Sequence, residues 1–367
     1  MTRGKPQAER DMMVEHLESL VRAESPSKVP DLLESCADVV ESIASSLGLP
    51  HARHHLGDLP VLHIGDPRAP VLLLGHLDTV HPPGSLEINP WRLDGDRLYG
   101  PGALDMKAGL VIGLHALAAA SGGASFLITA DEEVGSTVSR DAVEQAAAAR
   151  RAVLVLEPSA DGDLKVARKG VARLTVKLTG RASHAGLDPG RGANALLGMA
   201  HIALAGADLA DSKAETTVTP TLASAGSTVN TVPDSASVTF DVRAWSPGEL
   251  RRVRLGLETA STAVTGVSSS VELGSHRPPF EASASTALAD RARLVALRLG
   301  HGELAGRAVG GGSDGNFTAA LGIPTLDGLG GIGEGPHTPH EWVSAASLAT
   351  RAQLVSTLVS DVASALR

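Results

Sequence analysis

Over the first 168 residues, stretches with helical spacing alternate with short, solid apolar runs. "PDLLESCADVVESIASSLG" puts Leu32, Leu33, Cys36, Val39, Val40, Ile43 and Leu47 on one helical face, and Gly48 supplies the stop. "MMVEHLESLVRA" and "AGLVIGLHALAAA" also read as helices. "APVLLLGHLDTV", "ASFLITA" and "AVLVLEPS" are continuous apolar runs, as expected of strands covered on both faces of a sheet. Such alternation predicts an α/β fold.

From about Lys169 the period changes to two. "VARLTVKLTG" and "SASVTFDVRAW" alternate apolar and polar residues, as half-exposed strands do. In the second, Val238, Phe240, Val242 and Ala244 share one face, and Asp241 and Arg243 the other. The helical stretches "NALLGMAHIALAGADL" and "PGELRRVRLGLETAS" lie between the β runs. The pattern predicts an α+β domain at 169–277, inserted into an α/β domain made of 1–168 and 278–367. The first texture resumes with the helix "TALADRARLVALRLG", the glycine-rich "GGGSDGNF", the strand-like "IPTLDGL" and a final helix.

Composition narrows the class. At 367 residues the chain is long enough for two cores. With 43% hydrophobic and 20% charged residues it reads as globular, and 2% aromatics leave the cores to Ala, Val, Leu and Ile. A net charge of -9 argues against a nucleic-acid partner, which would want a basic stripe. No run reaches the ~18 apolar residues of a membrane span, and the polar start "MTRGKPQAERDM" lacks the apolar core of a signal peptide. The one cysteine, Cys36, cannot form an internal disulfide and is expected as core filler. A cytoplasmic protein without a membrane partner is expected.

The candidate chemistry sits where the apolar runs end. "GHLDTVHPPG" carries His76 and Asp78 two residues apart, on one face of a strand, as a ligand and its holder would be. Asp105 follows in "YGPGALDMKAG", where a helix cap is the plainer reading. "TADEEVGS" holds the adjacent acids Glu132 and Glu133, and "LVLEPS" ends on Glu157. His337 lies in the loop "GEGPHTPHEW". Open α/β sheets bind ligands beyond the carboxyl ends of their strands. A pocket there would gather His76, Asp105, one of the two adjacent glutamates, Glu157 and His337. Carboxylates with imidazoles suit Zn2+, with Co2+ or Mn2+ as substitutes. Five such groups exceed one tetrahedral site but suit two ions sharing a carboxylate.

Taken in order, "GHLDTV", "GPGALDMKAG", "TADEEVGS", "LVLEPS", "GRASHAG" and the His337 loop resemble the motifs of the di-zinc aminoacylase and carboxypeptidase family. That family includes glutamate carboxypeptidase, acetylornithine deacetylase, succinyl-diaminopimelate desuccinylase and aminoacylase. The resemblance implies a zinc-exopeptidase-like catalytic domain with an inserted lid and dimerisation domain, hence a homodimer. It implies two Zn2+ bridged by Asp105, often before a cis peptide, with His76 and Glu157 on one ion and Glu133 and His337 on the other. Asp78 would clamp His76. Glu157 followed by Pro resembles the glutamate carboxypeptidase branch.

Glu132 is then left without a metal, and the chemistry needs a base beside the attacking water. Glu132 is expected to take the water's proton and return it to the leaving amine. By the same resemblance, His184 in "GRASHAG" stabilises the oxyanion, in many relatives from the partner subunit. Asn230 and Arg243 hold a substrate carboxylate, and Lys165 and Arg277 line the pocket. Gly311 and Gly312 offer backbone N–H groups. Asp314 reads equally as a cap for the following helix. Three cations at a cleft point to an acidic substrate, a small molecule or dipeptide with a free carboxylate. His51, His54 and His55 in "HARHH" are discounted because they precede a strand without a carboxylate partner, and His81 and His340 read as rim residues. The expected activity is hydrolysis of an amide bond next to a free carboxylate. An N-acyl-amino-acid deacylase is the alternative, and a non-catalytic binding protein on the same scaffold the remote one.

Overall fold

The computed structural model describes residues 5–120 and 122–364; the first four residues of the polar N-terminal stretch lie outside them. The chain divides into two compact units. The first comprises Met1–Ala167, Glu281–Val309 and Ser313–Arg367, and the second Arg168–Phe280 with Gly310–Gly312.

The first unit is built on a six-stranded sheet in the order His51–Leu56, Leu59–Gly65, Ala124–Thr129, Val71–His76, Ala152–Val155, Thr325–Leu326. Its first two strands run antiparallel and the remaining four are mutually parallel. Val71–His76 is buried at every position, and its neighbours in sequence enter different cores. Val71 and Leu73 pack with Phe126 and Leu154 on one face, whereas Leu72 and Leu74 pack with Leu127 and Val153 on the other. That two-sided burial is why the run is solidly apolar rather than alternating. "HARHH" forms the edge strand itself rather than preceding one, and His55 has a carboxylate partner, Glu34 at 2.7 Å. Cys36 is buried in the core on helix Pro30–Ser46. Among the described residues, no helix is long and apolar enough to cross a membrane.

Helix Lys5–Arg22 packs against Ala108–Ala119, and there His16 Nδ1 meets His115 Nε2 at 3.0 Å. Burial, assisted by His16, lowers the His115 imidazole to about 4; burial also lowers His16. On acidification the unfolded chain takes up a proton near 6.5, whereas folded His115 resists until about pH 4. Above 6.5 neither state holds the proton, so stability is lost as pH falls between those values, by up to about 3 kcal/mol. His115→Gln is expected to flatten that slope in denaturant titrations between pH 6.5 and 4; the same slope in both proteins would refute the assignment.

The second unit is an antiparallel sheet in the order Thr217–Ala225, Ser235–Ala244, Gly170–Thr179, Ser268–Arg277. Val238, Phe240, Val242 and Ala244 are buried with Leu174 and Val176, beneath helices Ala195–Ala207 and Pro247–Thr259. Both helices start as their sequences direct, with the side chains of Asn194 and Ser246 accepting from Leu197 N and Glu249 N.

Candidate metal centre

Three parallel strands deliver their following residues to one edge of the first unit's sheet. His76 closes Val71–His76, the turn Glu132–Val134 follows Ala124–Thr129, and Glu157 follows Ala152–Val155. The Glu157 segment is held by close backbone approach. A Cβ on Gly109 would lie 2.1 Å from the Leu156 carbonyl oxygen, and one on Gly330 2.3 Å from the same atom. Only glycine fits at either place, and Gly330 N–H donates to the Glu157 carbonyl at 2.9 Å. Asp105 is not a helix cap. It stands in an irregular turn, Ala103–Lys107, with non-helical backbone, and its peptide bond to Met106 is cis. The turn is bolted from behind by Lys107, whose Nζ donates to the carbonyls of Leu20 and Ala23 at 2.9 and 2.8 Å.

These side chains converge. His76 Nε2 lies 3.7 Å from Asp105 Oδ1, 3.4 Å from Glu157 Oε1 and 3.9 Å from Glu132 Oε2. His337 Nε2 lies 3.4 Å from Asp105 Oδ2 and 3.3 Å from Glu133 Oε1. Asp105 therefore turns one oxygen to each imidazole. His337 itself adopts φ 64°, uncommon for a residue with a Cβ and most often met at functional positions. Among the described residues, two metal-competent triads emerge, His76–Asp105–Glu133 and His76–Glu132–Glu157. Both triads use His76, whose Nε2 has a single lone pair and can serve one ion, whereas Asp105 offers two oxygens.

The donor atoms fit metal ions better than they fit one another. His76 Nε2, Asp105 Oδ1 and Glu133 Oε1 are buried without a hydrogen-bond partner, an arrangement that costs stability unless something else satisfies them. Ligands ~2.1 Å from a tetrahedral zinc ion stand about 3.4 Å apart, close to the spacings observed. The titration shifts reflect the same crowding. Asp105 and Glu133 lift His337 to about 10, and burial raises Glu133. For His76, burial pulls down, but the carboxylates of Asp105, Asp78 and Glu157 carry it well above its usual value.

Asp78 does more than its expected part beside His76. His76 Nδ1 bonds the Asp78 backbone carbonyl at 2.9 Å, with the carboxylate 3.4 Å away. The carboxylate also accepts from the N–H groups of Glu132 and Glu133 at 3.1 and 3.2 Å and from the Ser27 hydroxyl at 2.7 Å. Asp78 thus orients the imidazole with its main chain and the two glutamates with its side chain. Within the turn Glu132–Val134 the adjacent acids diverge, Glu132 toward His76 and Glu133 toward His337. Asp314 also departs from its reading as a cap: it accepts from the hydroxyls of Ser136 and, at 3.3 Å, Thr129, behind that turn.

Lys165, in the first unit, lies on strand Leu164–Arg168, with its backbone paired to Asp327. In the second unit, the His184 and Asn230 loops are joined, Ala185 N–H donating to the Asn230 carbonyl at 2.8 Å. His184 Nδ1 accepts from the N–H groups of Gly186 and Leu187 at 3.1 Å, which leaves the proton of the neutral ring on Nε2 as a donor. Arg243 pairs with Asp241 at 2.9 Å and donates to the Gly310 carbonyl at 3.2 Å. Arg168, which its sequence context does not distinguish, donates to the carbonyls of Gly311 and Gly312 at 3.1 and 3.3 Å. Arg277, expected at a cleft, is 6% exposed at the end of strand Ser268–Arg277.

Two imidazoles and four carboxylates at the carboxyl edge of an open mixed sheet define a metal-dependent hydrolase of the α/β class. The model of Peptidase family M20/M25/M40 matches residues 72–361, and the chain belongs to that family. Its relatives include carboxypeptidase G2 of Pseudomonas sp. (strain RS-16), 30% identical over 96% of this chain and 90% of that one. A putative succinyl-diaminopimelate desuccinylase of Mycobacterium tuberculosis is 29% identical over 70% of this chain and 73% of its own. The crystal structure of aminopeptidase PepT from Bacillus cereus shares the fold, with a TM-score of 0.75 at 22% identity over 96% of this chain and 99% of that one.

Proposed function

We propose that the protein is a carboxypeptidase-type hydrolase that cleaves an amide bond next to a free carboxylate, with a C-terminal glutamate as the preferred leaving residue. The observation that carries the chemistry is Asp105, with one carboxylate oxygen toward His76 and the other toward His337. In this reading His76, Asp105 and Glu157 hold one Zn2+, and Asp105, Glu133 and His337 the other. When bound, such a pair polarises the scissile carbonyl and acidifies water. Glu132, 11% exposed and 3.9 Å from His76, receives the proton of the attacking water on its carboxylate and delivers it to the departing amine. Asp78 holds that carboxylate in place through the turn backbone. His184 donates from Nε2 to the oxyanion, and Asn230, Arg243, Lys165 and Arg277 recognise the substrate with the N–H groups of Gly311 and Gly312.

The glutamate preference rests on the likeness to carboxypeptidase G2 and on those three cations. A panel of C-terminal-glutamate dipeptides, N-acylglutamates, N-acetylornithine and succinyl-diaminopimelate tests it. The glutamate compounds are expected to lead by at least about tenfold in kcat/KM, a difference of about 1.4 kcal/mol. Turnover of succinyl-diaminopimelate alone would establish instead the deacylase reading that the desuccinylase relative supports.

The second unit is proposed as the lid and dimerisation domain. Its edge strand Thr217–Ala225 exposes Leu222, and helix Ala195–Ala207 exposes Leu197 and Leu204. A monomeric mass in solution would rule this out. The cytoplasm is the proposed compartment, in keeping with the single buried thiol of Cys36.

A further inference from the structure

We propose that Glu341 is a positioning residue that sets the distance between Asp105 and His337, and with it the metal affinity of the centre. Glu341 is fully buried. Its Oε1 accepts from the N–H groups of Leu104 at 2.7 Å and Asp105 at 2.9 Å. Its Oε2 accepts from Gly102 N–H at 3.0 Å and His81 Nε2 at 2.7 Å. Four donors thus converge on one carboxylate, three of them from the turn whose side chain Asp105 spans the two imidazoles. The other end of the device is the His337 loop. Glu341 N–H donates to the Thr338 carbonyl at 3.3 Å, and the next residue, Trp342, enters strand Trp342–Ser344, paired with Arg97–Tyr99. One side chain therefore ties together two loops whose ligands are remote in sequence.

The physical cost of its removal is specific. The N–H groups of Gly102, Leu104 and Asp105 point into the interior and have Glu341 as their acceptor, so without it they are buried and unsatisfied. Glu341→Gln conserves shape but replaces one oxygen by an NH2 group. Whichever way the amide turns, its NH2 group then faces at least one backbone N–H of the turn, that of Gly102 or those of Leu104 and Asp105, and the turn must shift. Asp105 moves with it, because its own N–H is one of the three. His81, half-buried at 12% exposure, is the fourth donor and fixes the rotation of the carboxylate.

This inference rests on the metal-centre reading, and cobalt titration separates the two. Metal-free wild-type, Glu341→Gln and His81→Leu proteins are titrated with Co2+ against a competing chelator, with the visible Co2+ absorption recorded alongside kcat and KM. Glu341→Gln is expected to bind about 10- to 100-fold more weakly with an altered absorption band, and to lose kcat rather than raise KM. His81→Leu, which leaves the backbone acceptors in place, is expected to show a smaller loss in the same direction. Wild-type spectra and affinities in both variants would overturn the proposal, and should Glu341→Gln fail to fold, an unchanged His81→Leu protein overturns it alone. Wild-type protein that takes up no Co2+ would instead overturn the metal-centre reading.

Discussion

Glu132→Gln is expected to keep its bound metal and to lose about 10²- to 10⁴-fold in kcat, the usual worth of a positioned general acid-base group. Glutamine has the same shape and keeps the backbone bond from its N–H to Asp78 at 3.1 Å, so the turn should survive. It cannot take a proton from water at neutral pH, nor hand one to the amine. Because the loss falls on a proton transfer made in the transition state, kcat should fall with little change in KM. Metal analysis beside steady-state kinetics reads both halves. A near-wild-type rate would remove Glu132 from the mechanism. Loss of metal would instead make it a ligand, a role its place in the His76–Glu132–Glu157 triad permits geometrically.

Asp105→Asn tests the bridge. The aspartate offers Oδ1 to His76 and Oδ2 to His337, at 3.7 and 3.4 Å. Asparagine keeps one oxygen and presents an NH2 group where the other stood, with no charge to offset two cations. We expect the variant to lose at least one ion per chain, and activity to fall more than about 100-fold with it, as a missing ligand outweighs the 10- to 100-fold cost typical of its supporting residues. A second consequence is read without metal. Asp105 is the largest cause of the rise of His337 to about 10, so in the metal-free variant the His337 imidazole should titrate at lower pH by NMR. Full metal occupancy with an unmoved His337 would show that Asp105 does not bridge.

Much of the first unit was legible because its signals are local. Val71–His76 had to be a central strand, since six consecutive buried positions leave no polar face. Ser235–Ala244 had to have one face buried, since its period is two and Val238, Phe240 and Val242 do enter the core. The carboxyl ends of the apolar runs likewise located His76, Glu157 and the adjacent acids. Where expectation and structure part, the cause is a partner distant in sequence. Asp78 was assigned to the imidazole two residues away, whose Nδ1 its carboxylate faces at 3.4 Å, but its side chain also accepts from a turn 54 residues on. Arg243 was expected at a substrate carboxylate, and within the fold it also donates to the Gly310 carbonyl, 67 residues away. Glu341 stood in "GEGPHTPHEW" without a role assigned to it, although it closes hydrogen bonds across 236 residues.

The sequence by itself determined which groups exist and in what order: the apolar runs, the acids and imidazoles at their ends, and the change of period that marks the second unit. Those depend on side-chain chemistry and on repeats of two or 3.6 residues, which any stretch of chain carries alone. Tertiary structure decided which lone pair faces which partner. Asp105 turns one oxygen to a strand end and the other to a loop more than 200 residues later, and Glu341 accepts from the N–H groups of Leu104 and Asp105 in its turn. A carboxylate has the same composition wherever it stands; only the close approach of remote backbone makes it ligand, base or support.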